Sequence, residues 1–354
     1  MTNFSMKRKT FFLIFILTTI FLIKATQETV LESIYAPGMI KVNGEEMIVV
    51  EGATIYIYSL PDLQQKMSFG QKGEGPGEMM SYPFFFNTVV ALPNEYFVDS
   101  QEKVLYFSKD GTFISEKKKP IGVSNMTPVG EYFVGSKLSV IEDKIQYQAV
   151  VLYDDKFEIV KELVREVSPA QSVKMTTELP PDALNFVVHK ENIFVEKSRE
   201  GFLIEVYNSA GELIREIRRE IKGKSIGGKE KKTLLEYFKK DRSVKAAGFD
   251  NIIRQTKLIY PDSLPVITGL EIADDKLYVK TSQRYAAQSE FLVLDLEGNE
   301  LGHFQVSGLA ETPLVAHLLN VRYYTISLGK IYYLTFGEEE TKLIVKSINI
   351  ETGF

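Results

Sequence analysis

The 354-residue sequence has no cysteine. Disulfides, thiolate nucleophiles, cysteine zinc sites and a lipidated N-terminal cysteine are excluded together. Histidine is scarce: His189, His303 and His317 are the three, and none stands at i,i+4 or HxH spacing. A histidine metal centre would therefore need distant segments to converge. A basic face is missing too. The formal charge is −5, and lysines gather only in short runs such as Lys117 to Lys119 and Lys229 to Lys232. That argues against nucleic acid as a partner, because phosphate neutralisation needs a basic surface. Serine and histidine occur without a GxSxG elbow.

Long apolar runs are also lacking. A membrane-spanning helix takes about 20 apolar residues, whereas the uncharged run from Phe11 to Ile23 has 13. It follows Lys7, Arg8 and Lys9 and precedes Lys24 and Ala25. A basic stretch, a short apolar stretch and then a small residue is the layout of a secretory signal peptide. The alternative for residues 1–25 is an uncleaved N-terminal membrane anchor. Both readings export residues 26–354, as a periplasmic, extracellular or outward-facing anchored protein that meets the membrane only through this segment.

What the chain does contain is apolar and aromatic: 44% hydrophobic residues, 12% aromatics and 24 glycines, a composition tilted towards strands. A unit of strand, polar turn and strand recurs six times, anchored at Tyr58, Phe107, Tyr153, Tyr207, Leu294 and Ile348. Lys109-Asp110-Gly111, Ser209-Ala210-Gly211 and Glu297-Gly298-Asn299 supply residues that tolerate positive φ in tight turns. A second strand precedes each anchor, at Val49, Val98, Val134, Val195, Val279 and Tyr333. The anchors are 49, 46, 54, 87 and 54 residues apart, so the spacing is that of propeller blades, with one gap enlarged by roughly 35 to 40 residues.

The enlarged gap holds an insertion, about residues 222–262. Within it, Leu234, Leu235, Tyr237 and Phe238 form an apolar stripe at helical spacing with lysines opposite. The spacing predicts one amphipathic helix, with a second turn through Val244 and Ala247. The last unit supplies three strands, and Thr29 to Tyr35 is left over ahead of the first. It is expected to close the ring as the outer strand of the last blade.

Phe69 to Glu78, FGQKGEGPGE, is glycine-rich but places carboxylates where a phosphate-binding loop needs lysine, and Pro83 with the run to Val90 reads as strand rather than helix. The segment Phe69-Gly70, Gly73, Gly75-Pro76-Gly77-Glu78, Pro83, Tyr96-Phe97-Val98-Asp99 and Tyr106-Phe107-Ser108-Lys109-Asp110-Gly111 resembles an NHL repeat. The GEGPGE form in particular resembles the bacterial exported six-bladed β-propellers. The likeness covers one unit, Phe69 to about Phe113. It implies fold and export and carries no enzymatic residue across.

The fold expected is thus all-β: a six-bladed β-propeller with an N-terminal signal or anchor segment and a short helical insertion between blades four and five. Adjacent acids at Asp154-Asp155, Asp274-Asp275 and Glu338 to Glu340 read as solvated turn residues. Six-bladed propellers of the lactonase type hold a divalent cation at the axis, for which Asn87, Asn185, Asn320 and Glu271 are candidates here. Arg242, Arg254 and Arg284 could line the axial mouth and attract an anion, against the alternative that they are solvated surface residues; His189 sits just before a turn, and His317 reads as a partly buried structural residue. No residue receives a catalytic, cofactor or metal role. The functional expectation is an exported binding module for a protein, peptide or glycan; the alternative is a metal-dependent hydrolase or lyase at the central channel.

Overall fold

The computed structural model describes residues 26–60, 62–81, 87–240, 244–245, 248–282, 288–309, 323–337 and 340–352. The signal or anchor segment therefore lies outside the described residues, as do Pro83, Arg242, Ala247, Arg284, His317, Asn320, Glu338 and Glu339.

Among the described residues, six antiparallel sheets have four strands each. The first comprises Met39–Asn43, Glu46–Glu51, Thr54–Ser59 and Gln65–Phe69, and the second Thr88–Ala91, Glu95–Asp99, Lys103–Ser108 and Phe113–Lys118. The third is Val123–Val129, Tyr132–Glu142, Ile145–Tyr153 and Ile159–Val167; the fourth is Phe186–His189, Asn192–Glu196, Phe202–Asn208 and Leu213–Arg219. The fifth is Ile267–Ala273, Lys276–Thr281, Ser289–Asp295 and Glu300–Val306. The sixth takes Tyr324–Ser327, Lys330–Phe336 and Thr341–Ser347 from the C-terminal end, and its outer strand, Gln27–Val30, from the N-terminal end. The clasp is present, then, two residues earlier than Thr29; Leu31 and Ile34 follow it as buried plugs.

The anchor residues explain themselves in register. Pairing of the third and fourth strands slips by a bulge at Ile57/Tyr58, Tyr106/Phe107, Leu152/Tyr153, Val206/Tyr207 and Val293/Leu294. Each slip stands beside a hairpin turn, where an extra residue is taken up; Gly111, Gly211 and Gly298 have positive φ in three of them. The sixth sheet pairs Gln27↔Val345 to Val30↔Lys342 with no slip, since no hairpin joins those strands.

Apolar side chains on successive sheets face one another, because a sheet flanked on both sides buries both faces. Ile55 and Val98 share one seam, Phe97 and Val151 the next, and Val150 and Val195 the third. Ile204 with Val279 and Phe291 with Tyr333 continue the series, and Val49 with Leu334 joins the sixth sheet back to the first. The seams form a closed circuit, which defines a β-propeller.

Among the described residues the insertion carries the helices Gly228–Lys240 and Phe249–Gln255. Leu234 and Phe238 are buried as the stripe predicts, whereas Leu235 and Tyr237 are only half-buried. Val244 joins their core with Leu179, Ile226 and Leu264. Nothing in the sequence pattern announces the three-stranded sheet Ala170–Gln171, Thr176–Glu178 and Lys257–Ile259, in which the last two pair in parallel. Strands of two or three residues are too short to show alternation.

Candidate functional site

Strand direction alternates within each sheet, so all links between second and third strands, and all links between sheets, emerge at one end of the propeller. The opposite end carries tight hairpins such as 44–45, 130–131 and 274–275. The long connections at the first end include 70–87, 168–185 and 220–266. The last two flank the fourth sheet, and the parallel pairing of Thr176–Glu178 with Lys257–Ile259 ties them together above it. Between them lies a cleft of about 490 Å³.

The cleft floor is the link after Asn192–Glu196, a 3-10 turn at Ser198–Glu200. Gly201, at φ 94°, closes it by donating its N–H to Ser198 O at 3.1 Å. Ser198 Oγ accepts from Ile267 N at 3.2 Å, fixing the turn against the fifth sheet. Glu178 and Asp182 line the cleft from one insertion, Lys222 and Asp262 from the other, and Leu264, Pro265 and Val266 form an apolar wall.

Arg199 is the central cation. Its Nη2 donates to Glu178 Oε2 at 2.7 Å and Nη1 to Oε1 at 3.4 Å, while Glu166 Oε2 lies 3.9 Å from Nε. Lys197 is held between Glu200 at 2.6 Å and Glu205 at 3.2 Å, and the Tyr207 hydroxyl donates to the other Glu205 oxygen at 2.5 Å. Burial raises the Glu166 carboxyl despite Arg199 and Lys197. Asp182 is pushed further, up to about 8: burial is the main cause, Arg199 opposes it, and Glu196, Glu166 and Glu178 add to it. A carboxyl that remains a proton donor at neutral pH in a cleft is chemically distinctive.

Of the residues proposed from sequence for an axial cation, Asn320 lies outside the described residues, and the other three each have partners nearby. Asn87 Nδ2 donates to the Gly52 and Met80 carbonyls at 2.6 and 3.2 Å. Asn185 Nδ2 donates to Glu196 Oε1 at 2.5 Å, and Glu271 Oε1 accepts from Thr325 Oγ1 at 2.6 Å and Ile326 N at 3.1 Å. These contacts join neighbouring segments, and the asparagine bonds run through Nδ2 rather than Oδ1. Among the described residues no group of three histidines or acids is arranged to hold a metal.

Arg254 is exposed on the second insertion helix. His189 Nε2 lies 3.1 Å from Asp275 Oδ1 on the hairpin end, where Lys190 also donates to Asp275 at 2.9 Å. Asp274, its neighbour, accepts from Leu328 N and Gly329 N; this acidic pair thus joins the fifth sheet to both neighbours. Asp154 caps its own turn by accepting from Lys156 N and Glu158 N. Sequence reading missed Glu178, Asp182 and Arg199. The one available signal was that two irregular stretches flank the fourth repeat, and the 54-residue spacing from Tyr153 to Tyr207 concealed the first of them.

No family model matches the chain, and no curated protein matches it. Among solved structures, one of Kluyveromyces lactis Hsv2 is similar over 90% of this chain and 99% of its own, at 11% identity and a TM-score of 0.40. Another of Kluyveromyces lactis Hsv2p covers 89% of this chain and 99% of its own, at 12% identity and a TM-score of 0.41. A chain of the mitotic checkpoint complex covers 86% of this chain and 72% of its own, at 8% identity and a TM-score of 0.39. At these values the similarity carries no argument about activity or partners. The assignment as a β-propeller rests on the sheets and the closed circuit of seams.

Proposed function

We propose that this chain is an exported six-bladed β-propeller that acts as a binding module, with its ligand face at the cleft above the fourth sheet. The observation that carries this reading is the coupling of two separate insertions, through Thr176–Glu178 and Lys257–Ile259, into one wall around a cleft. Loops fixed on a rigid scaffold are where binding sites concentrate. Export rests on the basic and apolar pattern of residues 1–25, and the NHL-like unit at Phe69 to about Phe113 is consistent with that origin. The partner is a protein, peptide or glycan.

The test is to express the full chain in a bacterial host, isolate the exported form and screen it on peptide and glycan arrays beside Ser263→Trp. Ser263 is an exposed lining residue. Binding that Ser263→Trp removes without lowering the melting temperature is the expected result. Binding that survives the substitution would move the ligand face elsewhere, and a silent array would overturn the module reading. A stoichiometric divalent cation whose removal by EDTA shifts the melting temperature would instead favour the hydrolase or lyase alternative.

A further inference from the structure

We propose that the cleft above the fourth sheet receives the cationic side chain of a basic peptide segment, with Asp182 as its counter-ion. This deepens the binding-module reading and rests on it.

The charges facing the cleft and its floor come from four directions. Glu166 belongs to the third sheet, Glu178 and Asp182 to the first insertion, Glu196, Lys197, Arg199, Glu200 and Glu205 to the fourth sheet and its turn, and Lys222 and Asp262 to the second insertion. Carboxyls exceed cations. The two central cations are already committed, Arg199 to Glu178 and Lys197 to Glu200 and Glu205. Asp182 and Asp262 are the lining carboxyls left over, and Asp182 is the less exposed of the two: among the described residues its side chain takes part in no hydrogen bond or ion pair.

Its placement is nonetheless fixed. Gln148 Nε2 donates to the Asp182 carbonyl at 3.0 Å, and Gln148 Oε1 accepts from Leu184 N at 3.1 Å. The chain is clipped on both sides of a carboxyl that lines the cleft. Burial, with Glu196, Glu166 and Glu178 adding to it, keeps the proton on such a group, and the proton occupies a place where a positive charge could stand. An ammonium or guanidinium would fill it better, since it could pair with the ionised carboxylate.

The rest of the lining suits the stem of such a side chain. Leu264, Pro265 and Val266 are buried along one wall, and lysine and arginine lay their methylene stems on apolar surface while the charged head seeks a polar end. An anionic ligand meets the opposite situation. Arg199 would have to give up Glu178, among surplus carboxylates.

The experiment uses the exported full chain and fluorescence anisotropy with a lysine- and arginine-containing peptide, the same peptide with acetylated lysines and citrulline for arginine, an acidic peptide, and the free diamine cadaverine as competitor, at pH 6.5 and 8.5. The basic peptide is expected to bind and to tighten by up to about tenfold per pH unit as the Asp182 proton is displaced. The neutralised and acidic peptides are expected not to bind. Asp182→Asn, with its fold verified by its melting curve, is expected to weaken basic-peptide binding at least about tenfold at pH 8.5 and to abolish the pH dependence. Equal binding by Asp182→Asn overturns the proposal. Cadaverine competing at the peptide's own affinity overturns the peptide assignment in favour of a free amine. If the acidic or neutralised peptide binds and Ser263→Trp removes that binding, the cationic proposal fails while the binding face stands; if no probe binds and the arrays are silent, both fail.

Discussion

Asp99 and Lys119 form an ion pair sealed inside the propeller, their side chains 3% and 1% exposed. Asp99 ends the second strand of the second sheet, Lys119 follows the fourth, and the backbone N–H groups of Asn125 and Met126, in the third sheet, also donate to the carboxylate. Asp99 is the acid of the Tyr96-Phe97-Val98-Asp99 stretch. It ties two sheets together where they meet the loop-bearing end. Removing one partner leaves an uncompensated buried charge, so Asp99→Asn or Lys119→Met should each cost about 3–5 kcal/mol. The pair Asp99→Asn with Lys119→Met should cost clearly less than the two single losses added together, as read from urea unfolding. Strict additivity would show that the two side chains do not act on each other.

Ring closure depends on Gln27–Val30 at one end of the chain and Thr341–Ser347 at the other. Lys342 strengthens the join by reaching Glu28 at 2.8 Å, but the larger contribution is apolar. Ile34 is fully buried and Leu31 nearly so, both packed against the seam between the sixth and first sheets. Ile34→Ala should lower stability by about 2–5 kcal/mol, and deletion of residues 26–36 should lower the melting temperature by more than that single change. A deleted protein that melts at the unaltered temperature would mean that the clasp does not hold the ring shut.

Six strand pairs and the helix stripe were legible because each is a local pattern, and the clasp because a count of strands leaves the last unit one short and Thr29 to Tyr35 over. Val98 and Val195 sit mid-strand in apolar runs, and Gly111 and Gly298 mark turns whose φ they alone accept cheaply. The cleft was not legible. Glu178 meets Arg199 across 21 residues, and Thr176 meets Lys257 in a parallel pair across more than 80. Their proximity depends on where the propeller places its loops, and no spacing in the sequence encodes that.

The glycine stretch sharpens into separate roles. Gly77 has φ 76°, and a Cβ there would stand 2.9 Å from the Phe113 ring. A Cβ on Gly75, whose φ is not positive, would meet only the Glu78 carboxylate at 3.0 Å. The Gly77 N–H donates to Glu116 Oε2 at 2.9 Å, and Lys103 bridges the Gly75 carbonyl and Glu116, so the loop is docked on the second sheet. Gly77→Val should lower stability by more than about 1 kcal/mol and reduce the yield of folded protein. Gly75→Ala should cost less, because a carboxylate end can swing aside. Equal losses in thermal unfolding would contradict this division.

Asp182 gives stability a pH dependence whose sign is opposite to that of a salt-bridged acid. In the unfolded chain its carboxyl titrates near its ordinary value of 3.8, whereas in the folded protein it holds its proton up to about pH 8. Between those values the folded state binds the extra proton, so raising the pH favours unfolding. The contribution is complete below about pH 4, declines through the window at no more than about 1.4 kcal/mol per pH unit, and is flat above about pH 8. Asp182→Asn should therefore match the parent protein near pH 4 and exceed it in stability at pH 7.5, with the gap widening steadily between. Denaturant unfolding of both proteins across that range isolates the effect, because every other titrating group is shared. A gap that does not change with pH would show that Asp182 ionises as easily in the fold as in the free chain, and that the cleft has no unmet need for a cation.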